Sequence, residues 1–576
     1  MKYQYILLAV TLMLVSCSDN FLDSKPKGKL SEKLLNTPEG IEALTNAAYS
    51  ALAGPEGSDG TYLSPTTNWI YGDVRAETAY KGGGGIGDIA EFHAFETFTG
   101  VFPSNPLLDR KWFSLYRSVQ RANSAIKRLN AVSEEEVPFK NTRLGEMKFL
   151  RAHFFFQLSR LFNRIPYFDE NVEPGQYKNI SNREYTRDQI LGMIAEEFAE
   201  AAKLLPAEQP EAGRATKYAA LAYQAKATLY RAYEQNDDNT LSNINKQLLE
   251  EVVGLTEEVA QGGYDLLSDF QHLAMVEYEN GVESVFAVQY SINDGTENGR
   301  INWSNLLNVP RGPAYSGDGF FQPSQNLVNS YKTNENALPQ IDSYNDSDLM
   351  TVQDGLDNPV DPRLDFTVGR IGIRWKDFEE EPYSEKWARA PATYGPYATK
   401  KFLVSPNSPY MVNGWPWGGS ALNFQIIRYA DVLLWKAEAL IELGRHEEAR
   451  LIINRIRERA KNSAYVLAWD NANDTDYAAN YNIEPYPAGA YWTQEYARKA
   501  LRFERKLELA MEGERFFDLV RWGVAEEVLN KYFAKEEELR PYLQNAVFEA
   551  GKDEYFPIPE AQIDFSGGLY VQNPGY

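Results

Sequence analysis

Residues 427–460 read IRYADVLLWKAEALIELGRHEEARLIINRIRERA, and the fold follows from how this run divides. Ala430, Leu433, Leu434, Ala437, Leu440 and Ile441 recur at three- and four-residue spacings, while Asp431, Lys436, Glu438 and Glu442 fall between them. That spacing lays one apolar stripe along a helix. Gly444 supplies a permissive backbone that ends the helix, and Ala449, Ile452, Ile453, Ile456 and Ala460 lay a second stripe beyond it. Two antiparallel helices cannot bury both faces on each other alone, so more helices must stack on them.

Leu440 to Ala449 resembles the centre of a tetratricopeptide repeat, where a glycine ends one helix and a small alanine lets the next pack closely. Working outward, a cap at Asn36 or Thr37 with Pro38 predicts a helix to about Ala53, and helical spacing returns over 109–131 and 142–162. Further helices are predicted over 186–205, 217–233 and 244–261, then over 493–512, where Gly513 precedes a short helix through Trp522. Residues 54–106 and 263–423 are irregular and set with Gly, Pro and aromatics, apart from a strand-like run at 284–288.

The chain has 576 residues, too many for one small core, and 43% apolar residues, too many for a disordered polyelectrolyte. Its formal charge of −23, without a dense basic run, argues against nucleic acid as a partner. Lys2, the run from Ile6 to Val15, and Ser16 before Cys17 read as a signal peptide too short to span a bilayer. Leu14-Val15-Ser16-Cys17 resembles the bacterial lipobox, which predicts that Cys17 becomes an acylated N-terminus holding the protein on a membrane. The expected organisation is a signal peptide over 1–16, a tether over 17–30, an N-terminal helical region over 31–262 and a C-terminal region over 263–576. The last is irregular to 423 and helical from 424.

Catalytic and metal chemistry find little material. Gly82 to Gly87 satisfies G-x-G-x-x-G in form, but no apolar strand is evident before it and no clear helix after it, so a loop is expected. Four scattered histidines and one cysteine are poor zinc ligands, and Asp470 to Asp476 lacks the glycine of an EF-hand loop. No nucleophile elbow or Walker A is present, and nothing points to a cofactor. Glu512, Glu514, Arg515, Asp518 and Arg521 read as structural ion pairs about a helix end.

Five blocks in order resemble the SusD/RagB family of Bacteroidetes surface lipoproteins. They are Phe149 to Phe156 with Ile165-Pro166, Gly213 to Thr216, Arg428 to Leu434 with Ala437-Glu438-Ala439, Glu512 to Gly523, and Phe556 to Pro559 with Gln572 to Tyr576. The resemblance implies a mainly α fold, a tetratricopeptide-like scaffold of helical hairpins whose large loop-rich insertions form one face. It also implies a non-enzymatic outer-membrane lipoprotein, facing the cell exterior, that captures glycan for a SusC-like TonB-dependent transporter. Peptide as the ligand, or a glycoside hydrolase, are the alternatives.

Sugar binding without cleavage needs flat aromatic faces for the C–H side of the rings and planar polar groups for hydroxyls. The family's ligand face, built from the loop after the first helix and the central irregular region, maps onto Trp69, Tyr71, Asp73, Arg75 and Tyr80 on one side and Trp303 and Tyr315 on the other. Trp415-Pro416-Trp417 is a further candidate, because proline stiffens two neighbouring indoles. The ordinary alternative for each is a core residue anchoring a loop.

Overall fold

A computed structural model describes residues 32–54, 60–64, 68–296, 299–470 and 476–576. Cys17, its leader and its tether lie outside the described residues, as do positions 471–475 of the oxygen-rich run. The long helices, numbered in chain order, are α1 (Pro38–Ala53), α2 (Pro106–Asn130), α3 (Lys140–Phe162), α4 (Arg187–Leu204), α5 (Lys217–Ala232), α6 (Lys246–Ala260), α7 (Tyr429–Glu442), α8 (His446–Asn462) and α9 (Gln494–Glu508). The shorter α10 (Arg515–Arg521) and α11 (Ala525–Glu536) follow. Local chemistry starts them: Thr37 accepts the Gly40 N–H, Asn105 the Leu107 N–H ahead of Pro106, and Thr186 forms a capping box with Gln189.

From α2 to α7 each helix packs on the next in sequence, and α7 also meets α8 and α9. Stacked hairpins thus bury a continuous core, as the run at 427–460 requires. The contact of α6 with α7 spans a long insertion. Strands β2 (Ser284–Val288) and β4 (Phe424–Arg428) pair antiparallel, Ser284 opposite Arg428 and Val288 opposite Phe424. The insertion between them therefore leaves and rejoins the scaffold at one ribbon, and β4 runs directly into α7. A second ribbon joins β1 (Ala79–Gly82) to β3 (Phe320–Pro323).

The apolar stripe of α7 is buried, but so are Asp431, Glu438 and Glu442 between its members. A helix surrounded on all sides by α6, α8 and α9 has no solvent face for them. Each therefore holds an arginine: Asp431 accepts from Arg505 at 2.7 Å, Glu438 from Arg521, and Glu442 from Arg498 at 2.6 Å. Glu512 bonds Arg428 and Lys401, Glu514 bonds Arg160 and Lys226, and Asp518 bonds Arg505 and Arg521. With Arg515 paired to Glu77 at 2.8 Å and Arg521 to Glu438, all five predicted charges about α10 are held in ion pairs.

The Gly82–Gly87 run is a loop beyond Gly82, as expected, but β1 ends on Gly82 and a helix, Ala90–Thr97, follows, neither of which was expected. It is nevertheless filled from within. Lys81 Nζ donates to Gly85 O and Asp88 O, and the Gly84 N–H donates to the Asp88 carboxylate at 2.8 Å. A turn already occupied by an ammonium and a carboxylate is not a phosphate cradle.

Candidate functional site: an indole platform on the insertion

The insertion carries its own small core of Val309, Tyr315, Trp375, Phe378, Tyr383, Trp387, Ala398 and Leu403. Trp375 and Trp387 are fully buried with ring centroids 5.3 Å apart. Loop tryptophans here do what helix stripes do elsewhere, exchanging water for apolar contact.

On this core sits a hairpin. Met411 bridges to Ser420, Val412 N–H donates to Gly419 O at 2.7 Å, and Gly419 N–H donates to Pro416 O. Gly418, at φ +73°, lies so close to Val309 that a Cβ would come within 2.4 Å of its Cγ1. The hairpin tip is thereby pressed onto the insertion core. Its two indoles point outward: Trp415 is 65% exposed and Trp417 49%, with the peptide before Pro416 cis. Trp303 stands edge-on to Trp415, centroids 6.0 Å apart, on a 3-10 turn, Trp303–Asn308, whose preceding Asn302 donates from its own N–H to Ser420 O. Large exposed indoles are uncommon on a folded surface, and Trp415 and Trp417 on one hairpin tip make an apolar platform; Trp303, only 9% exposed, backs Trp415 through its edge contact. Asn305, half-buried on the same turn, lines the small cavity beside Trp69; sequence reading missed it.

The other predicted residues are buried and stand elsewhere. Trp69 packs on Phe321 at 5.4 Å and Phe92 at 5.5 Å, and lines a cavity of about 30 Å³ with Asn308 and Thr399. Tyr71 meets Phe556 edge-on. Asp73 accepts the Gly513 N–H at 2.6 Å and the Thr78 hydroxyl at 3.1 Å; burial, with Glu512 and Glu514 near, pushes its carboxyl up to about 7. Arg75 lies 4.0 Å from the ring centroids of both Phe516 and Phe556 and donates to Asp553 O. Tyr80 donates to Glu536 and accepts the Gln325 N–H. Tyr315 donates to Val404 O and accepts the Trp375 indole N–H. Irregular backbone was read as exposed backbone, but this segment is a seam between the two halves of the chain. Tyr71, Asp73, Arg75, Tyr80 and Tyr315 have no face turned to solvent.

Among the described residues no group of His, Cys, Asp and Glu could hold a metal ion, and no helix is long and apolar enough to cross a membrane.

Stacked hairpins thus carry the insertion and its exposed indoles on one scaffold. The chain belongs to the SusD family, whose profile matches residues 282–576; a second profile, described as starch-binding and associating with the outer membrane, matches residues 20–229. Over its full length the chain is 25% identical to the full length of SusD-like protein P2 of Formosa agariphila, and it is 23% identical to a SusD-like protein of Bacteroides ovatus, covering 92% of it. Among solved structures, a SusD homolog from Bacteroides thetaiotaomicron superposes with a TM-score of 0.69 over 95% of this chain and 98% of that one, at 20% identity. A laminarin-binding SusD-like protein matches with a TM-score of 0.65, at 23% identity, over 94% of this chain and all of that one. Surface glycan-binding protein A from Bacteroides thetaiotaomicron, solved with laminarihexaose, gives 0.60 at 20% identity over 93% and 99%. The expected mainly helical, SusD-like fold is therefore the one observed.

Proposed function

We propose that the protein is a non-enzymatic, cell-surface lipoprotein that binds oligosaccharide on the platform of Trp415 and Trp417, backed by Trp303, and passes it to a SusC-like TonB-dependent transporter in the outer membrane. The carrying observation is the pair of exposed indoles on a hairpin pinned to the insertion core. Support comes from relatives described as binding laminarin or surface glycan, and from the family profile described as starch-binding at the outer membrane. The organisation that goes with this reading is a leader over 1–16 removed at Cys17, an acylated tether over 17–30, and two parts, 31–262 and 263–576, sharing one core.

Affinity electrophoresis of the chain lacking residues 1–17 against a broad set of polysaccharides tests the binding. Retardation by one polysaccharide is expected, with Trp415→Ala and Trp417→Ala each weakening it about tenfold, on the order of 1.4 kcal/mol for a lost aromatic face. Retardation by none, or retardation untouched by the double variant, sinks the platform. The anchor is checked separately: Cys17→Ser releases the protein from the membrane fraction.

A further inference from the structure

A cleft of about 590 Å³ opens far along the chain from the platform, between α9, the end of α10, α11 and the loop at 341–346. In a chain of net charge −23 its inner wall is cationic. Lys506 and Arg515 share one carboxylate, Glu77, at 3.5 and 2.8 Å, and although burial alone raises that carboxyl, the two cations hold it down to about 2. Arg502, one turn before Lys506, is half-buried over Trp522, its Cζ 4.9 Å from the ring centroid. Its guanidinium has no carboxylate and no hydrogen-bond acceptor among the described residues. The acids it feels at a distance are already taken, Glu438 by Arg521 and Glu442 by Arg498. The wall thus carries three cations against one anion. Burial lowers the Arg502 guanidinium from its ordinary range, and the distant Tyr233, Glu438 and Glu442 offset this only in part. Lys531 lies on the rim of the cleft. The acids there include Asp342, which pairs with Lys499 at 3.1 Å, and Asp346, Glu495 and Glu527, all in water. Tyr344, half-buried, adds a ring to the wall.

We propose that this cleft is a second ligand site, for an acidic sugar residue whose carboxylate or sulfate ester is met by Arg502. A planar guanidinium presents two parallel N–H donors to such a group, and a partly desolvated one binds it more strongly than a lysine in water. The cleft also has room for the ring that carries the group. The saccharide part rests on the glycan-binding reading above; the anion part stands on the cleft alone.

The test is calorimetric titration of the chain lacking residues 1–17 with trigalacturonate, with its full methyl ester, and with a sulfated carrageenan tetrasaccharide. Binding of at least one acidic probe is expected, at least tenfold tighter than the neutral ester and weakening with salt. Arg502→Gln loses that difference, Arg502→Lys keeps part of it, and the Trp415→Ala, Trp417→Ala double variant leaves it unchanged. Since Arg502 has no carboxylate or hydrogen-bond partner to lose and Arg515 and Arg521 also lie over Trp522, Arg502→Gln is expected to melt within a few degrees of the wild type, which separates loss of binding from loss of fold. Inorganic sulfate competing as well as the sulfated sugar would reduce the site to an anion site and overturn the saccharide claim. Equal binding of acid and ester, unchanged binding by Arg502→Gln, or no binding of either acidic probe overturns the site. Acidic probes bound while every neutral polysaccharide fails would keep this site and remove the platform.

Discussion

His153 shows how a single residue in α3 is fixed by its surroundings. It is buried, its Nδ1 lies 2.6 Å from the Tyr223 hydroxyl, and desolvation, with Arg160, Lys226 and Lys111 near, holds its pKa down at about 3. The imidazole is therefore neutral in the fold and protonates in the unfolded chain near 6.5. Below 6.5 the unfolded state binds the extra proton, so stability falls with pH from 6.5 to about 3 and the effect levels off beneath that. The slope from this one group is about 1.4 kcal/mol per pH unit. His153→Gln, which keeps a polar partner for Tyr223 without a titrating ring, is expected to flatten the melting temperature between pH 6 and 4. An unchanged profile would assign the acid sensitivity to the carboxylate pairs alone.

At the scale of elements, the hairpin at 411–420 depends on Gly418 twice over, for a left-handed backbone and for the missing Cβ against Val309. Gly418→Ala is expected to lower the melting temperature by a few degrees, a cost of about 1–2 kcal/mol for the backbone before the clash is added, and to weaken glycan retardation with every tryptophan intact. Retardation at wild-type strength would mean that the tip's seat on the core does not position the indoles. The sequence already shows the long helices, because stripes such as Leu433 to Ile441 and caps such as Thr37, Thr186 and Thr216 are local signals. The strand at 284–288 is equally legible. Its partner, Phe424–Arg428, is not, since pairing across the insertion leaves no local mark. The stripe of α11, Ala525, Leu529, Tyr532 and Phe533, is a local signal too, but it is short and no capping side chain marks its start. Of the candidate site, the exposure of Trp415 and Trp417 could be read because proline and glycine flank them. Tyr71 and Arg75 were misread because burial of an irregular segment is decided by what packs over it, here residues more than four hundred positions later.

Over the whole molecule, the segment from Trp69 to Tyr80 joins the two halves. Tyr71 meets Phe556, Asp73 holds the Gly513 N–H, Glu77 pairs with Arg515 and Tyr80 bonds Glu536. Arg75 is the centre of this seam, its guanidinium between the rings of Phe516 and Phe556 and bonded to Asp553 O at 2.6 Å. One apolar core runs through both halves, so they are expected to unfold together. Arg75→Met keeps the bulk and removes the hydrogen bond and the cation over the rings, and its expected cost is about 2–4 kcal/mol. Because the loss falls on the junction, a single calorimetric transition should move down as a unit, and amide exchange should quicken both in residues 69–82 and in residues 513–556. A variant that instead melts in two steps, or that loosens one half and leaves the other protected, would show that the halves are separately stable and that the seam only docks them. Glycan affinity at Trp415 is expected to be unchanged below the transition, since Arg75 is buried and turned to the aromatic seam and not to the platform.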